Sequence, residues 1–193
     1  MYRYYCQEFP HNYTLTAQVL ALEESRILVD HSPFFPGGGG QLADRGVIVS
    51  NGESITVSAV EIVPHGVWHT IDQSIDDCEF VDIKVDENHR SLQSELHTLA
   101  HIVNAVVFKA FDGALLTGAQ LGSNGTLRID FDLPGVDSDR LRVLEEPINE
   151  AAQQAHEVSA YWMPWDKAKL EHGLFRAKSA CLLYTSPSPR DRG

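Results

Sequence analysis

The hydrophobic period of this chain changes once, near Asp86, and that change limits the folds open to it. Upstream, the apolar residues come in six short β-branched runs, "TLTAQVLAL", "RILVD", "GVIVS", "SITVSAVEIV", "GVWHTI" and "FVDIKV", all between residues 14 and 85. Turn residues separate them in "FFPGGGG", "SNGES" and "VPHG". Short, regularly spaced strands of this kind predict a small antiparallel sheet or barrel. Downstream, Leu92, Leu96, Leu99, Val103, Val106 and Ala110 follow steps of three and four. That spacing predicts an amphipathic helix over 88–111, ended by Asp112 and Gly113.

Beyond the helix, "TLRIDFDL" alternates as a strand, with Ile129 and Phe131 on one face. Asp137 or Ser138 then caps a second helix carrying Leu141, Leu144, Ile148, Ala151 and Ala155, kinked at Pro147. "VSAYWM" reads as another strand, and "DKAKLEHG" as a short helix running from Asp166 to Gly173. The expected class is therefore α+β, with an N-terminal β-barrel over 1–87, an α+β domain over 88–180 and a separate tail over 181–193.

Composition narrows the function classes. At 43% hydrophobic and 22% charged over 193 residues, the chain has enough apolar side chains for a real core. No stretch approaches the roughly 18 consecutive apolar residues of a membrane span, and "MYRYYCQEFP" lacks the apolar region of a signal peptide. The expected location is cytoplasmic, with no membrane partner. Cys6, Cys78 and Cys181 are odd in number and far apart, which predicts reduced thiols. The formal net charge of −12 argues against broad, non-specific binding to nucleic acid, which needs clustered Lys and Arg.

Two stretches carry chemistry. In "SELHTLAHIVNAV", His97 and His101 stand four apart on a predicted helix, on one stripe with Arg90 and Ser94 and beside Asn104. Two imidazoles so placed reach one ion, and zinc favours such nitrogens; two surface histidines meet the same spacing. "HGVWH", His65 to His69, has the same spacing within strand-like surroundings. A zinc protease helix needs Glu after its first histidine, and Thr98 stands there. In "FFPGGGGQLADRG", four consecutive glycines fit a backbone that takes positive φ or lets a ligand approach closely; a flexible hairpin is the plainer alternative. Gln41 follows them without the lysine of a phosphate-binding loop, so an NTPase role is not expected. Arg90 is a candidate for a phosphate or carbonyl contact, or for a surface salt bridge with Asp86 or Glu87, and Asp130 for a carboxylate that orients a ligand histidine.

In this order, "FFPGGGGQLADRG", "VWH" and "LHTLAHIV" resemble the editing domain of alanyl-tRNA synthetases and the free-standing alanyl-tRNA editing proteins. The resemblance covers residues 12 to about 180. It implies a small β-barrel followed by the α+β domain shared with threonyl-tRNA synthetase editing. It implies a zinc site using His97 and His101, with Gln41 as a third catalytic residue and Gly37, Gly38, Gly39 and Gly40 close to the substrate. Gly37 stands where many members carry threonine. The family's second ligand pair, Cys-x-x-x-His, occurs nowhere in the chain. The ending "CLLYTSPSPRD", residues 181–191, matches codon by codon the translation of a transposase sequencing adapter, so the natural sequence is expected to depart near Ala180.

The resemblance implies zinc-dependent hydrolysis of the ester joining a wrong amino acid, serine or glycine, to tRNA(Ala). A pocket built for alanine rejects such close analogues only weakly, by about 1–3 kcal/mol for a methylene, so a second hydrolytic site is the physical remedy. With two of four ligands, the chain as it stands is expected to be inactive. Three alternatives stay open: a fragment of a full alanyl-tRNA synthetase, against which Met1 before the barrel argues; a non-catalytic RNA- or protein-binding module; and a threonyl-tRNA editing domain, which lacks the glycine loop.

Overall fold

The computed structural model describes residues 4–159, 161–171 and 174–178; Gly173, Cys181 and the adapter-like stretch lie outside them. After a single helical turn, α1 (Tyr5–Glu8), come β1 (Thr14–Glu23), β2 (Arg26–Val29), β3 (Gly46–Ser50), β4 (Glu53–Val63), β5 (Gly66–Ile71) and β6 (Phe80–Val85). They form a closed barrel in the order β1-β2-β5-β4-β3-β6, every neighbouring pair antiparallel. The two-residue periodicity explains the arrangement: in β6, Val81, Ile83 and Val85 are buried while Asp82 and Lys84 face outward. Ile27, Val29, Phe34, Ile48 and Ile83 meet in the interior with at most 1% exposure. Closure pairs every strand on both sides and leaves no open edge. Bulges at Val19/Ala21 and Val57/Ala59 supply the local bending.

The chain divides into two compact units between Ser94 and Glu95, within α2 (Glu87–Ala110). The second unit holds the rest of α2, an antiparallel pair β7 (Leu116–Leu121) and β8 (Leu127–Phe131), and the helices α3 (Ser138–Arg142), α4 (Glu145–Gln153) and α5 (Trp165–Ala168). Its core gathers Val107, Ala114 and Leu144, with Val103, Val106, Phe131 and Ile148 packed around them. The class is α+β, as expected.

Four expectations change. Strand β7 has no counterpart in the sequence reading, because Thr117, Gly118 and Gln120 interrupt any apolar alternation. The helix predicted from Asp137 is two helices: Asp137 caps α3 by accepting the Asp139 N–H at 2.8 Å, and Pro147 stands in the first turn of α4, where its missing N–H has no intrahelical partner to lose. "VSAYWM" forms no strand among the described residues; Val158 and Tyr161 are more than 70% exposed, and no neighbouring strand supplies a ladder. Finally, the buried positions in the first turns of α2 are His89, Arg90 and Gln93, joined by Leu96, whereas Leu92 and Leu99 are only partly covered. The helix begins against a polar loop rather than an apolar core. No helix among the described residues is long and apolar enough to cross a membrane.

Candidate active site

Within the first unit, the glycine loop leaves the barrel strands after Pro33 and Phe34, both buried. Its tip is a miniature hairpin: the Gly38 N–H donates to Gln41 O and the Gln41 N–H to Gly38 O, each at 3.0 Å. Gly39 and Gly40, the two residues between, have φ of +62° and +89°. Positive φ at both central positions is the signature of the type I′ turn, which fits the right-handed twist of paired strands. Gly37 and Gly38 are also at positive φ, +89° and +130°, so all four glycines occupy backbone conformations that L side chains rarely adopt. The pairing uses the Gly38 and Gln41 N–H groups and leaves those of Gly39 and Gly40 at the turn. A β-branched side chain at the φ of Gly37 would be strained.

The returning limb, residues 42–45, is held by α2. The Leu42 N–H donates to Gln93 Oε1 at 3.2 Å, and His89 Nε2–H donates to Ala43 O at 3.0 Å. Asp44 is buried and accepts the Phe35 N–H at 2.6 Å, which ties the two limbs together. Arg90 Nε lies 2.8 and 2.9 Å from the two Asp44 oxygens; Nη2 donates to Asp44 and, at 2.7 Å, to Pro33 O, and Nη1 to Pro10 O at 3.2 Å. Burial by itself would lower the Arg90 pKa, but the Asp44 carboxylate more than offsets this and raises it, so the guanidinium stays charged. Arg90 was expected at a phosphate or carbonyl, or in a surface pair with Asp86 or Glu87. It is instead 5% exposed, and its charge is spent on Asp44 inside the barrel unit. Removing one partner of such a buried pair costs about 3–5 kcal/mol, mostly through the stranded charge.

In the second unit, His97 and His101 stand on successive turns of α2 with their rings stacked, centroids 5.0 Å apart and planes 18° from parallel. Their Nε2 atoms are 3.1 Å from each other. Partial burial, and for His97 also the approach of His101, lowers both pKa values from the ordinary histidine range, so both rings are neutral at pH 7. Neutral imidazoles are the ligating form. Two nitrogens at about 2.05 Å from one tetrahedral ion stand about 3.3 Å apart, so this pair fits one edge of a zinc coordination sphere. Among the described residues no group of three His, Cys, Asp or Glu assembles around an ion. One turn past His101, Asn104 is 6% exposed and its Oδ1 has no hydrogen-bond partner. Asp130, a candidate to orient a histidine, instead meets exposed Arg128, 3.1 Å away.

The second histidine pair does not converge. His65 lies exposed in the β4–β5 turn, while His69 points into the barrel, fully buried, its Nε2 2.8 Å from Ser32 Oγ. Sequence spacing gave no signal for this Ser32–His69 contact, since the partners are 37 residues apart. It does not make a nucleophile: both residues are buried, and His69 Nδ1 lacks the carboxylate that would orient it.

The family model for class II (A) tRNA synthetases matches residues 5–89, the barrel and the start of α2. The alanyl-tRNA editing protein AlaX-M of Saccharolobus solfataricus is 34% identical over 155 residues, 78% of this chain and 64% of that protein. The alanine-tRNA ligase of Methanothrix thermoacetophila is 28% identical over 175 residues, and that of Mycolicibacterium vanbaalenii 31% over 160. These alignments take in 90% and 77% of this chain but only 18% of each ligase, so the chain spans less than two thirds of the relatives it matches. The glycine loop and the histidine helix fall within the stretch over which this chain is similar to an alanyl-tRNA editing protein and to alanine-tRNA ligases.

Proposed function

We propose that this protein edits tRNA(Ala) in the cytoplasm: a zinc-dependent hydrolase that cleaves the ester between serine or glycine and the tRNA 3′ end. The observation that carries the reading is the neutral, stacked His97–His101 pair, whose nitrogens stand 3.1 Å apart, in a chain similar over 155 residues to an alanyl-tRNA editing protein. Each neutral imidazole has one unprotonated ring nitrogen, and the Nδ1–H tautomer makes that nitrogen Nε2, the atom a metal would take. Bound zinc would supply a Lewis acid for the ester carbonyl or a water of lowered pKa. Within the first unit, the Gly39 and Gly40 N–H groups at the turn are hydrogen-bond donors, and the Gln41 amide is a side-chain partner for the acyl-adenosine end. Arg90 acts behind the loop and not on the substrate.

With two of four ligands among the described residues, the 193-residue chain is proposed to be a poor catalyst by itself. The test therefore uses the protein expressed from its source locus, read past codon 180. Serine should be released from Ser-tRNA(Ala) at least about a hundredfold faster than in buffer, and His97→Ala should abolish the gain. A folded protein that binds tRNA(Ala) yet releases neither serine nor glycine would leave a non-catalytic binding module, a reading that the incomplete ligand set among the described residues favours.

A further inference from the structure

The histidine pair of α2 does not leave both of its facing nitrogens bare. His97 Nε2 and His101 Nε2 are 3.1 Å apart in a hydrogen bond, so one of the two neutral rings carries its hydrogen on Nε2 and donates it to the other. An ion held by both Nε2 atoms requires that hydrogen to leave, and each ring, to stay neutral, then carries one on Nδ1 instead. One proton goes to solvent from Nε2 and one returns to Nδ1 of the same ring, so no charge changes. A ligating histidine ordinarily donates this second N–H to an oxygen, which fixes the ring. Among the described residues His101 makes no hydrogen bond besides the one to His97.

An acceptor without a donor stands three residues further on. Asn104 is 6% exposed, and its Oδ1 is shut off from solvent with no hydrogen-bond partner among the described residues. An orphaned amide oxygen costs free energy, and packing does not ask for one: Val103 and Val107 of the same helix belong to the apolar core of the second unit. Residues i and i+3 share a helix face, and Cα–Cβ bonds tilt toward the helix N-terminus, so the Asn104 side chain leans back over the turn that carries His101. The unused acceptor and the N–H that ion binding creates thus lie on the same face of adjoining turns.

We propose that Asn104 is a positioning residue of the metal site: its Oδ1 accepts the Nδ1–H of His101 once an ion is bound, and holds that ring in the tautomer that presents Nε2. The role rests on the zinc site proposed above. The metal-free protein carries the orphan until the ion arrives, and binding relieves it. Loss of such an acceptor ordinarily weakens metal binding by about 10- to 100-fold.

Asn104→Leu keeps the size of the side chain and removes the acceptor, while Asn104→Asp restores one. Both are compared with the unaltered 193-residue chain by calorimetric titration with zinc and by thermal melting without it. Asn104→Leu should weaken zinc binding by about tenfold or more, and its metal-free melting temperature should stay level or rise by about 2–4 °C, because the orphan is gone. Asn104→Asp should bring the Kd back to within about threefold of the original. In nitrogen NMR spectra of the unaltered chain with zinc, His101 Nδ1 should be protonated. Exchange of its hydrogen should quicken at least about tenfold in Asn104→Leu while that of His97 keeps its rate. An unchanged Kd or unchanged His101 exchange in Asn104→Leu overturns the proposal, as does a Kd in Asn104→Asp no better than in Asn104→Leu. So does weaker binding together with a lower melting temperature in Asn104→Leu, which marks a packing role. Zinc binding that His97→Ala leaves intact overturns the metal site itself. Binding lost in His97→Ala but untouched in Asn104→Leu leaves that site standing and removes only Asn104 from it.

Discussion

At the scale of single residues, His69 carries the clearest consequence. It is fully buried in the barrel, edge-on to Phe34 with ring centroids 5.4 Å apart, and burial pushes its pKa down to about 4. The folded pKa lies below the unfolded one, so between about pH 6.5 and 4 the unfolded chain takes up a proton that the folded chain refuses. Stability is therefore whole above pH 6.5 and falls by about 3 kcal/mol as the pH drops to 4. Urea melts at pH 7 and pH 4 should show this loss, and His69→Gln, which keeps an acceptor for Ser32 but does not titrate, should remove most of it. An identical pH slope in the variant would assign the effect to other groups. The sequence shows His69 only as one member of a weak four-spaced pair, because what makes it unusual is the barrel closing around it. Arg90 was misplaced for the same reason: its partner Asp44 is 46 residues away, and helical spacing reports only which residues share a face, not what that face meets.

At the scale of elements, legibility follows how local the determinants are. All six barrel strands coincide with the β-branched runs, since alternation and turn residues lie within each segment. β7 pairs with β8 although its own pattern is broken, and "VSAYWM" has the propensity but finds no ladder among the described residues; in both, the deciding partner lies outside the segment. The glycine hairpin is legible as a turn but not as a type I′ turn with its two N–H groups already used. That geometry makes a prediction. A Cβ on Gly39 meets nothing within 4 Å, and φ of +62° is the left-handed region that asparagine tolerates. Gly39→Asn should leave stability unchanged or raise it by up to about 1 kcal/mol, by narrowing the unfolded ensemble. Gly37→Thr, at φ +89° with its Cβ only 3.1 Å from Ala43 N, should lower it by about 1–3 kcal/mol. Equilibrium urea melts of the two variants test both signs, and equal losses in each would mean that the loop does not hold this turn in solution.

At the scale of the whole molecule, the glycine loop with Gln41 belongs to one unit and the His97–His101 pair to the other. The metal part is quantitatively testable without any tRNA. Structural four-ligand zinc sites bind with about 10–16 kcal/mol at pH 7, whereas a pair of imidazoles gains roughly half the donor bonds and leaves the rest of the sphere to water. Zinc should therefore bind the 193-residue chain with Kd no tighter than about 1 µM, equivalent to about 8 kcal/mol, at one ion per chain. His97→Ala and His101→Ala should each weaken it further, because a lone imidazole has no chelate partner. Calorimetric titration of the metal-free chain gives both numbers. Nanomolar binding lost in His97→Ala would mean that further donors close on the ion together with the pair, and binding unaffected by either substitution would remove His97 and His101 from the metal site altogether.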